Sequence, residues 1–187
     1  MENEIKIQVL VEAVAVLDDT KSFETLYHFF YKKLLRFANA ILKDEHLAEE
    51  AVSDVFVNLW RNRARLIEIE NLNSYLYIST KNLAVRYSTR LKKSPKYPIE
   101  EIQIDSASYN ATPEDILLNK EMIKRYEAAI EDLPAKCKTI YRLAKQDGLR
   151  YKEIAAILNL SIKTIDAQLA IAVRKITLSV QYMYKAG

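Results

Sequence analysis

Residues 151–176 read YKEIAAILNLSIKTIDAQLAIAVRKI, a stretch that begins as one amphipathic helix, changes register at Asn159-Leu160-Ser161 and resumes as another. Ile154, Ala155 and Leu158 recur at helical spacing and form the inner face of the first segment, with Ala155 small enough to let a neighbour cross closely. Asn159 stands where a left-handed residue would end that helix, a conformation Asn tolerates better than most residues other than glycine. Leu160 plugs the corner, Ser161 caps the second segment, and Ile162, Ile165, Leu169, Ala172 and Ile176 make a second inner stripe. Two short helices crossing at a tight turn are expected to form a helix-turn-helix, whose second helix can enter the major groove of DNA. On a helical wheel Lys163, Ala167, Ala170 and Arg174 lie opposite the second stripe, with Thr164 and Asp166 on the flanks. The cations can reach phosphates or guanine edges, Thr164 can hydrogen-bond, and the alanines permit contact with thymine methyls. A helical hairpin with a solvated outer face is the alternative.

Around this stretch lies a chain of 187 residues, half of them apolar and 28% charged, with only two glycines. That balance predicts one or two compact domains rich in helix. Apolar windows such as VLVEAVAVL are broken by charge and fall short of the ~20 residues a membrane span needs, and no basic segment precedes them as in a signal peptide. A cytoplasmic location is expected. The single cysteine, Cys137, excludes an intramolecular disulfide and is expected as a small buried hydrophobe. With only His28 and His46 beside it, no metal-ligand cluster is signalled, and neither a cofactor nor a small-molecule ligand is expected.

The net charge of +3 averages a blocky distribution: residues 1–43 are neutral, 44–59 carry −5, 60–98 carry +7, 99–132 carry −6 and 133–187 carry +7. Two basic blocks separated by an acidic one suit two contacts with one polyanion, with the acidic parts facing something else. Solvated helix faces would give the same numbers.

Periodicity organises the first half. Phe23, Leu26, Tyr27, Phe30, Tyr31, Leu34, Phe37, Ala38 and Ile41 give KSFETLYHFFYKKLLRFANAIL one broad apolar face, beginning after Asp19 or Thr20 as cap. A shorter helix precedes it, marked by Ile7, Leu10, Val11, Val14 and Leu17. DEHLAEEAVSDVFVNLWRNR turns Leu47, Ala51, Val52, Val55, Phe56 and Leu59 inward and crowds acids into its first turns, where the helix dipole favours them. A fourth helix, NLNSYLYISTKNLAVRYSTRLKK, is expected to bury Leu72, Tyr75, Leu76, Leu83 and Tyr87. From Ser94 the pattern fails: SPKYPIEEIQIDSASYNATPED holds three of the four prolines and reads as an extended linker, either a passive acidic tether or an occupant of a basic channel. After Pro113 the helical period returns through Ile116, Leu117, Ile123 and Ile130. The predicted fold is all-α, with two small helical domains, residues 1–93 and 116–187, joined by a flexible linker over 94–115.

With these elements in order, the chain resembles the extracytoplasmic-function (ECF) sigma factors of bacterial RNA polymerase, in the form common in Bacteroidetes. FETLYHFFYKKLLRFANAIL, AEEAVSDVFVNLWRNR and LNSYLYISTKNLAVRY look like sigma region two, and LPAKCKTIYRLAKQDGLRYKEIAAILNLSIKTIDAQLAIAVRKI like region four. Asn159 departs from the glycine usual in that turn, and AQLAIAV is more apolar than the usual recognition helix. The resemblance implies a factor that binds core RNA polymerase, directs it to promoters and promotes opening of the minus-ten element. It implies core contacts from Glu49, Glu50, Asp54, Asn58 and Trp60. It implies minus-ten contacts from Arg61, Arg63 and Arg65 on the backbone, Asn71 and Asn73 near a flipped base, and Lys81, Asn82, Arg86 and Arg90 along the strand. It implies minus-thirty-five contacts from Arg150, Ser161, Lys163, Thr164, Ala167, Ala170 and Arg174. An anti-sigma partner, often membrane-bound, is also implied. Trp60 and Tyr75 can equally be core aromatics. A stand-alone helix-turn-helix activator would account for residues 133–187 alone, and nothing in the sequence has the phosphate loop or catalytic grouping of an enzyme.

Overall fold

The computed structural model describes residues 2–91 and 116–184, all of whose regular structure is helical. The predicted linker, 94–115, lies outside the described residues. Contacts divide the chain into two units, residues 1–96 and 97–187. No single helix among the described residues is long and apolar enough to cross a membrane.

The first unit packs α1 (Glu2–Leu17), α2 (Thr20–Leu42), α3 (Glu45–Arg61) and α4 (Leu72–Leu91), with a 3₁₀ turn at Arg63–Glu68 between the last two. Its boundaries follow from local chemistry. Asp19 caps α2, its carboxylate accepting from the Lys21 and Ser22 backbone N–H groups at 3.2 and 3.1 Å and from the Ser22 hydroxyl at 2.6 Å. Lys43 closes α2 at φ 54°, and Asp44 then accepts from the Leu47 N–H at 3.1 Å to start α3. Each cap satisfies an amide that the helix cannot. Leu26, Phe30, Leu34, Phe37 and Ala38 of α2 are buried against Ala51, Val52, Val55, Phe56 and Leu59 of α3 and Leu72, Leu76 and Ala84 of α4. Each large apolar side chain withdrawn from water contributes about 1.5–3 kcal/mol, so this three-helix core is the unit's main stabilising term.

Two expectations are corrected here. Tyr75 is 38% exposed, whereas Tyr77 is fully buried with its ring edge-on to Phe37 at 5.2 Å. The inward stripe of α4 runs Leu72, Leu76, Thr80, Ala84 in steps of four, and each such step turns the stripe about 40° toward Tyr77 and away from Tyr75. Leu17, the expected last inward residue of α1, is 74% exposed because the helix stops there and the chain turns at Asp18, while Val11 and Val14 are buried.

The second unit comprises α5 (Ile116–Glu131), α6 (Ala135–Tyr141) continuing as a π turn over Arg142–Gln146, α7 (Tyr151–Leu158) and α8 (Ile162–Tyr184), with α5, α6 and α7 all packed on α8. Ile130, Leu133, Ile140, Leu143, Ile154, Ile157 and Leu158 surround Ile165, Leu169, Ala172 and Ile176 of α8. Cys137 is buried as expected and donates to the Gln168 side-chain oxygen at 2.8 Å. Gly148 ends the π turn at φ 75°, where a side chain would be strained although space is open around it. Beneath the surface Glu131 accepts from Lys138 at 3.1 Å and from Arg142, both of them buried. Removing the shared carboxylate would take an ionic partner from two buried cations at once, which is costlier than losing an exposed pair. Ile162 corrects a third expectation: it is 52% exposed, because it is the first residue of α8, and the buried stripe of that helix begins one turn later at Ile165.

Candidate nucleic-acid and protein interfaces

The turn between α7 and α8 is built by three residues acting in succession. Asn159 adopts φ 56°, ψ 48°, and the Leu160 N–H reaches back to the Ala155 carbonyl at 2.9 Å, closing α7. Ser161 then starts α8: its hydroxyl accepts the Thr164 N–H at 3.0 Å and pairs with the Thr164 hydroxyl at 2.8 Å. The helices meet at 107°, within the ~90–120° of helix-turn-helix pairs. Ile165, Leu169, Ala172 and Ile176 anchor α8 inward, which leaves Lys163, Ala167, Ala170 and Arg174 exposed on the far side. Thr164 is half-buried and its hydroxyl is engaged by Ser161, so it positions the first turn as well as facing outward. Arg150 is exposed at the start of α7, where its N–H donates to Glu153 at 2.6 Å. Ile171, Val173 and Leu178 add exposed apolar surface to α8. Such a face offers two cations for an acidic groove and a smooth strip for close approach, in keeping with the apolar character read from AQLAIAV.

In the first unit the three arginines at and just beyond the end of α3 separate into different settings. Arg61 is exposed. Arg65 is 77% exposed and pairs with Glu68 at 3.3 Å, an exposed pair that costs little to open. Arg63 is turned inward: its Nε donates to Asp18 Oδ1, an Nη donates to the Trp60 carbonyl at 3.2 Å, and the guanidinium lies 4.6 Å above the Trp60 ring. The Arg63 hydrogen bond holds the Asp18 carboxyl below the usual carboxylate range, and the same bond raises the guanidinium. Asn71 accepts the Ser74 N–H at 2.8 Å and so begins α4, while Asn73 is half-buried in its first turn. Lys81 is half-buried, and Asn82 and Arg86 are exposed along α4. The side chain of Arg90 lies outside the described residues.

The acidic face of α3 is also organised. Glu49, Glu50 and Asn58 are exposed and Asp54 is half-buried. The Tyr87 hydroxyl of α4 donates to Asp54 at 2.9 Å and lies 3.2 Å from Glu50. Burial, and then the hydrogen bond to Asp54, push this phenol up to about 12. Trp60 packs against Phe23 with centroids 4.9 Å apart, so most of its ring serves the aromatic cluster of Phe23, Tyr27 and Phe56. Asp18 and the hydroxyl of Tyr87, which engage the candidate residues Arg63 and Asp54, are contacts that sequence reasoning misses. The one available signal for Asp18 is the doubled acid in LDDT, where Asp19 alone suffices as the cap.

Comparison with known proteins agrees with this geometry. Residues 26–94 match the family described as Sigma-70 region 2, and residues 123–176 match Sigma-70, region 4. The chain is similar to the ECF RNA polymerase sigma-E factor of Escherichia coli K12, 24% identical over 176 residues, covering 90% of this chain and 91% of that protein. It is likewise 24% identical over 140 residues to the RNA polymerase sigma factor SigZ of Bacillus subtilis, covering 75% and 76% of the two chains. Among solved structures, CnrH in complex with the cytosolic domain of CnrY has the same fold, with a TM-score of 0.53 and 17% identity over 95% of this chain and 98% of that one.

Proposed function

This chain belongs to the ECF branch of the sigma-70 family, and from that premise we propose how its surfaces divide the work of promoter-specific transcription initiation by RNA polymerase. Residues 1–93 carry two of the three tasks. Glu49, Glu50, Asp54 and Asn58 on α3 dock on the core enzyme, and Arg61, Arg65, Asn71, Asn73, Lys81, Asn82, Arg86 and Arg90 line the minus-ten strand. Residues 116–187 carry the third: Arg150, Ser161, Lys163, Thr164, Ala167, Ala170 and Arg174 address the minus-thirty-five element. The observation that carries this reading is the 107° crossing at Asn159, with a cationic and otherwise flat outer face on α8. A helix so presented fits a major groove with its N-terminal residues against base edges.

Opening DNA requires a base to leave the stack, at a cost of a few kcal/mol. Cations beside the strand and a pocket for the base offset that cost. The carboxylates of α3 would repel the same strand, which supports assigning them to protein instead. Working with RNA polymerase, the chain acts in the cytoplasm. An anti-sigma factor completes the proposal; CnrH, which shares the fold, has been solved with the cytosolic domain of CnrY.

Two weak DNA-binding modules gain affinity together only when their spacing is set, and the core enzyme would set it. The isolated chain should therefore bind promoter DNA weakly and with steep salt dependence, and adding core polymerase should produce specific binding and strand opening. Gel shifts and permanganate footprinting, with and without core, test this. Tight specific duplex binding by the chain alone, with no opening when core is added, would instead indicate a helix-turn-helix activator.

A further inference from the structure

Asp18 and Arg63 lie 45 residues apart in the chain and are joined by a hydrogen-bonded ion pair. From their setting we infer that Asp18 is a positioning residue for promoter opening, holding the Arg63–Glu68 turn in place through Arg63, and that Arg63 works inward on Trp60 instead of outward on a phosphate. The inference rests on the proposal that this turn and α4 face the minus-ten strand.

Asp18 is committed to this task by its backbone. It is the residue after α1, at φ 53°, and the next N–H, that of Asp19, returns to the Ala13 carbonyl at 3.3 Å. Asp is among the few residues that accept a left-handed conformation readily, and this one is not needed for capping, because Asp19 supplies both acceptors that α2 uses. Its carboxylate is therefore available to Arg63.

Arg63 is held on several sides at once. Its Nε is taken by Asp18, one Nη by the Trp60 carbonyl, and the guanidinium plane by the Trp60 ring, which itself packs on Phe23 of α2. The planar fork of arginine suits such simultaneous hydrogen bonding and stacking in a way lysine does not. The side chain is 31% exposed, whereas its neighbour Arg65 is 77% exposed and pairs with the exposed Glu68. Just beyond, Leu66 is buried at 2%, and α1 packs directly on the turn. The turn that leads from the docking helix α3 to the reading helix α4 is thus gripped by the α1–α2 corner. Arg61 and Arg65 project from a fixed base, and Asn71 starts α4 in a fixed direction. Charged groups that face DNA act best when their orientation is fixed before binding.

Asp18→Asn keeps a residue tolerant of the left-handed conformation and removes only the charge; Arg63→Gln removes the other partner. If Asp18 positions the turn, each substitution lowers strand opening by the holoenzyme by roughly threefold to tenfold. The double variant is then no worse than Arg63→Gln, and the salt slope of DNA binding stays unchanged because no phosphate contact is lost. If Arg63 grips a phosphate, Asp18→Asn frees it and tightens DNA binding, while Arg63→Gln makes the salt slope shallower by about one; that pattern overturns the inference. Amide hydrogen exchange on the free chain needs neither polymerase nor promoter. Arg63→Gln, and to a smaller extent Asp18→Asn, whose amide oxygen can still accept from Nε, should speed exchange at the Arg65 and Ile69 amides, which are bonded to Asn62 and Leu66 within the turn, and leave α2 and α3 unchanged. Unaltered exchange at those two amides in Arg63→Gln, which removes the guanidinium altogether, refutes the latch whatever the transcription assays give. Faster exchange with a wild-type chain inert toward core polymerase would keep the latch as a structural device and refute its role in promoter opening together with the functional assignment.

Discussion

Replacing Asn159 tests whether the helix-turn-helix is set by backbone conformation at one residue. At φ 56°, ψ 48° this residue sits in the left-handed well, where a Cβ crowds the following carbonyl at a cost of about 1–2 kcal/mol that glycine avoids and Asn bears only in part. The side chain is exposed, so substitution there changes the backbone preference with little packing loss to confuse it. Asn159→Ala should therefore destabilise the second unit by about 1 kcal/mol, and Asn159→Gly should be neutral or stabilise it by a few tenths. For a unit of this size 1 kcal/mol moves the melting midpoint by roughly 4–8 °C. Calorimetry or near-ultraviolet circular dichroism on the intact chain gives the midpoints, and the order Gly ≥ Asn > Ala is the required result. Minus-thirty-five binding by the holoenzyme should follow the same order, since a wider turn re-aims α8, and with it Lys163 and Arg174, relative to α7. Ala as stable as Asn would mean that the tertiary packing of Ile157 and Leu160 dictates the turn, and the argument from Asn159 would fail.

The other surfaces give separate expectations. Glu49→Arg should weaken core polymerase binding about tenfold without lowering stability, while Asp54→Arg should also destabilise the fold because it removes the nearer of the two carboxylates that the Tyr87 hydroxyl meets; a core affinity unchanged by Glu49→Arg would remove α3 from the docking face. Lys163→Ala should cost ~1–3 kcal/mol at one base position if it reads an edge, whereas a uniform loss over all sequences would assign it to a phosphate; no effect from it or from Arg174→Ala would take α8 out of the groove. Tyr87, raised from the ordinary 10 to about 12, favours the fold only while protonated. Its contribution is complete below pH ~10 and is lost as pH rises through ~12, so urea midpoints of wild type and Tyr87→Phe should differ at pH 9 and converge toward pH 12. Parallel curves over that range would contradict the hydrogen bond to Asp54.

What could be read from the sequence and what could not divide along a physical line. The apolar faces of α2, α3 and α8, the Asp19 cap and the turn at Asn159 were legible because each depends on residues within a turn or two of one another, and burial at i, i+3 and i+4 leaves a pattern in the chain itself. Tyr75 and Tyr77 were not told apart because the expected stripe ran through Leu83 and Tyr87, whereas the stripe that is buried, Leu72, Leu76, Thr80 and Ala84, includes a threonine, drifts toward Tyr77 and sets its ring against Phe37. The charged groups were less legible still. Arg61, Arg63 and Arg65 look equivalent as a run of alternating basic residues. Their different fates are decided by Asp18, by Trp60 and by Glu68, and the first of these is 45 residues away from Arg63. Likewise nothing local marks Lys138 and Arg142 as buried cations sharing Glu131, because helical periodicity treats any Lys or Arg as an outward residue. A basic block therefore identifies a surface for a polyanion only after the cations held inward by the protein's own carboxylates and rings have been taken out. Among the described residues of the two basic blocks that subtraction leaves Arg61, Arg65 and Arg86 exposed in the first unit and Lys145, Arg150, Lys152, Lys163, Arg174 and Lys175 in the second, and it is from these that the proposed DNA contacts are drawn.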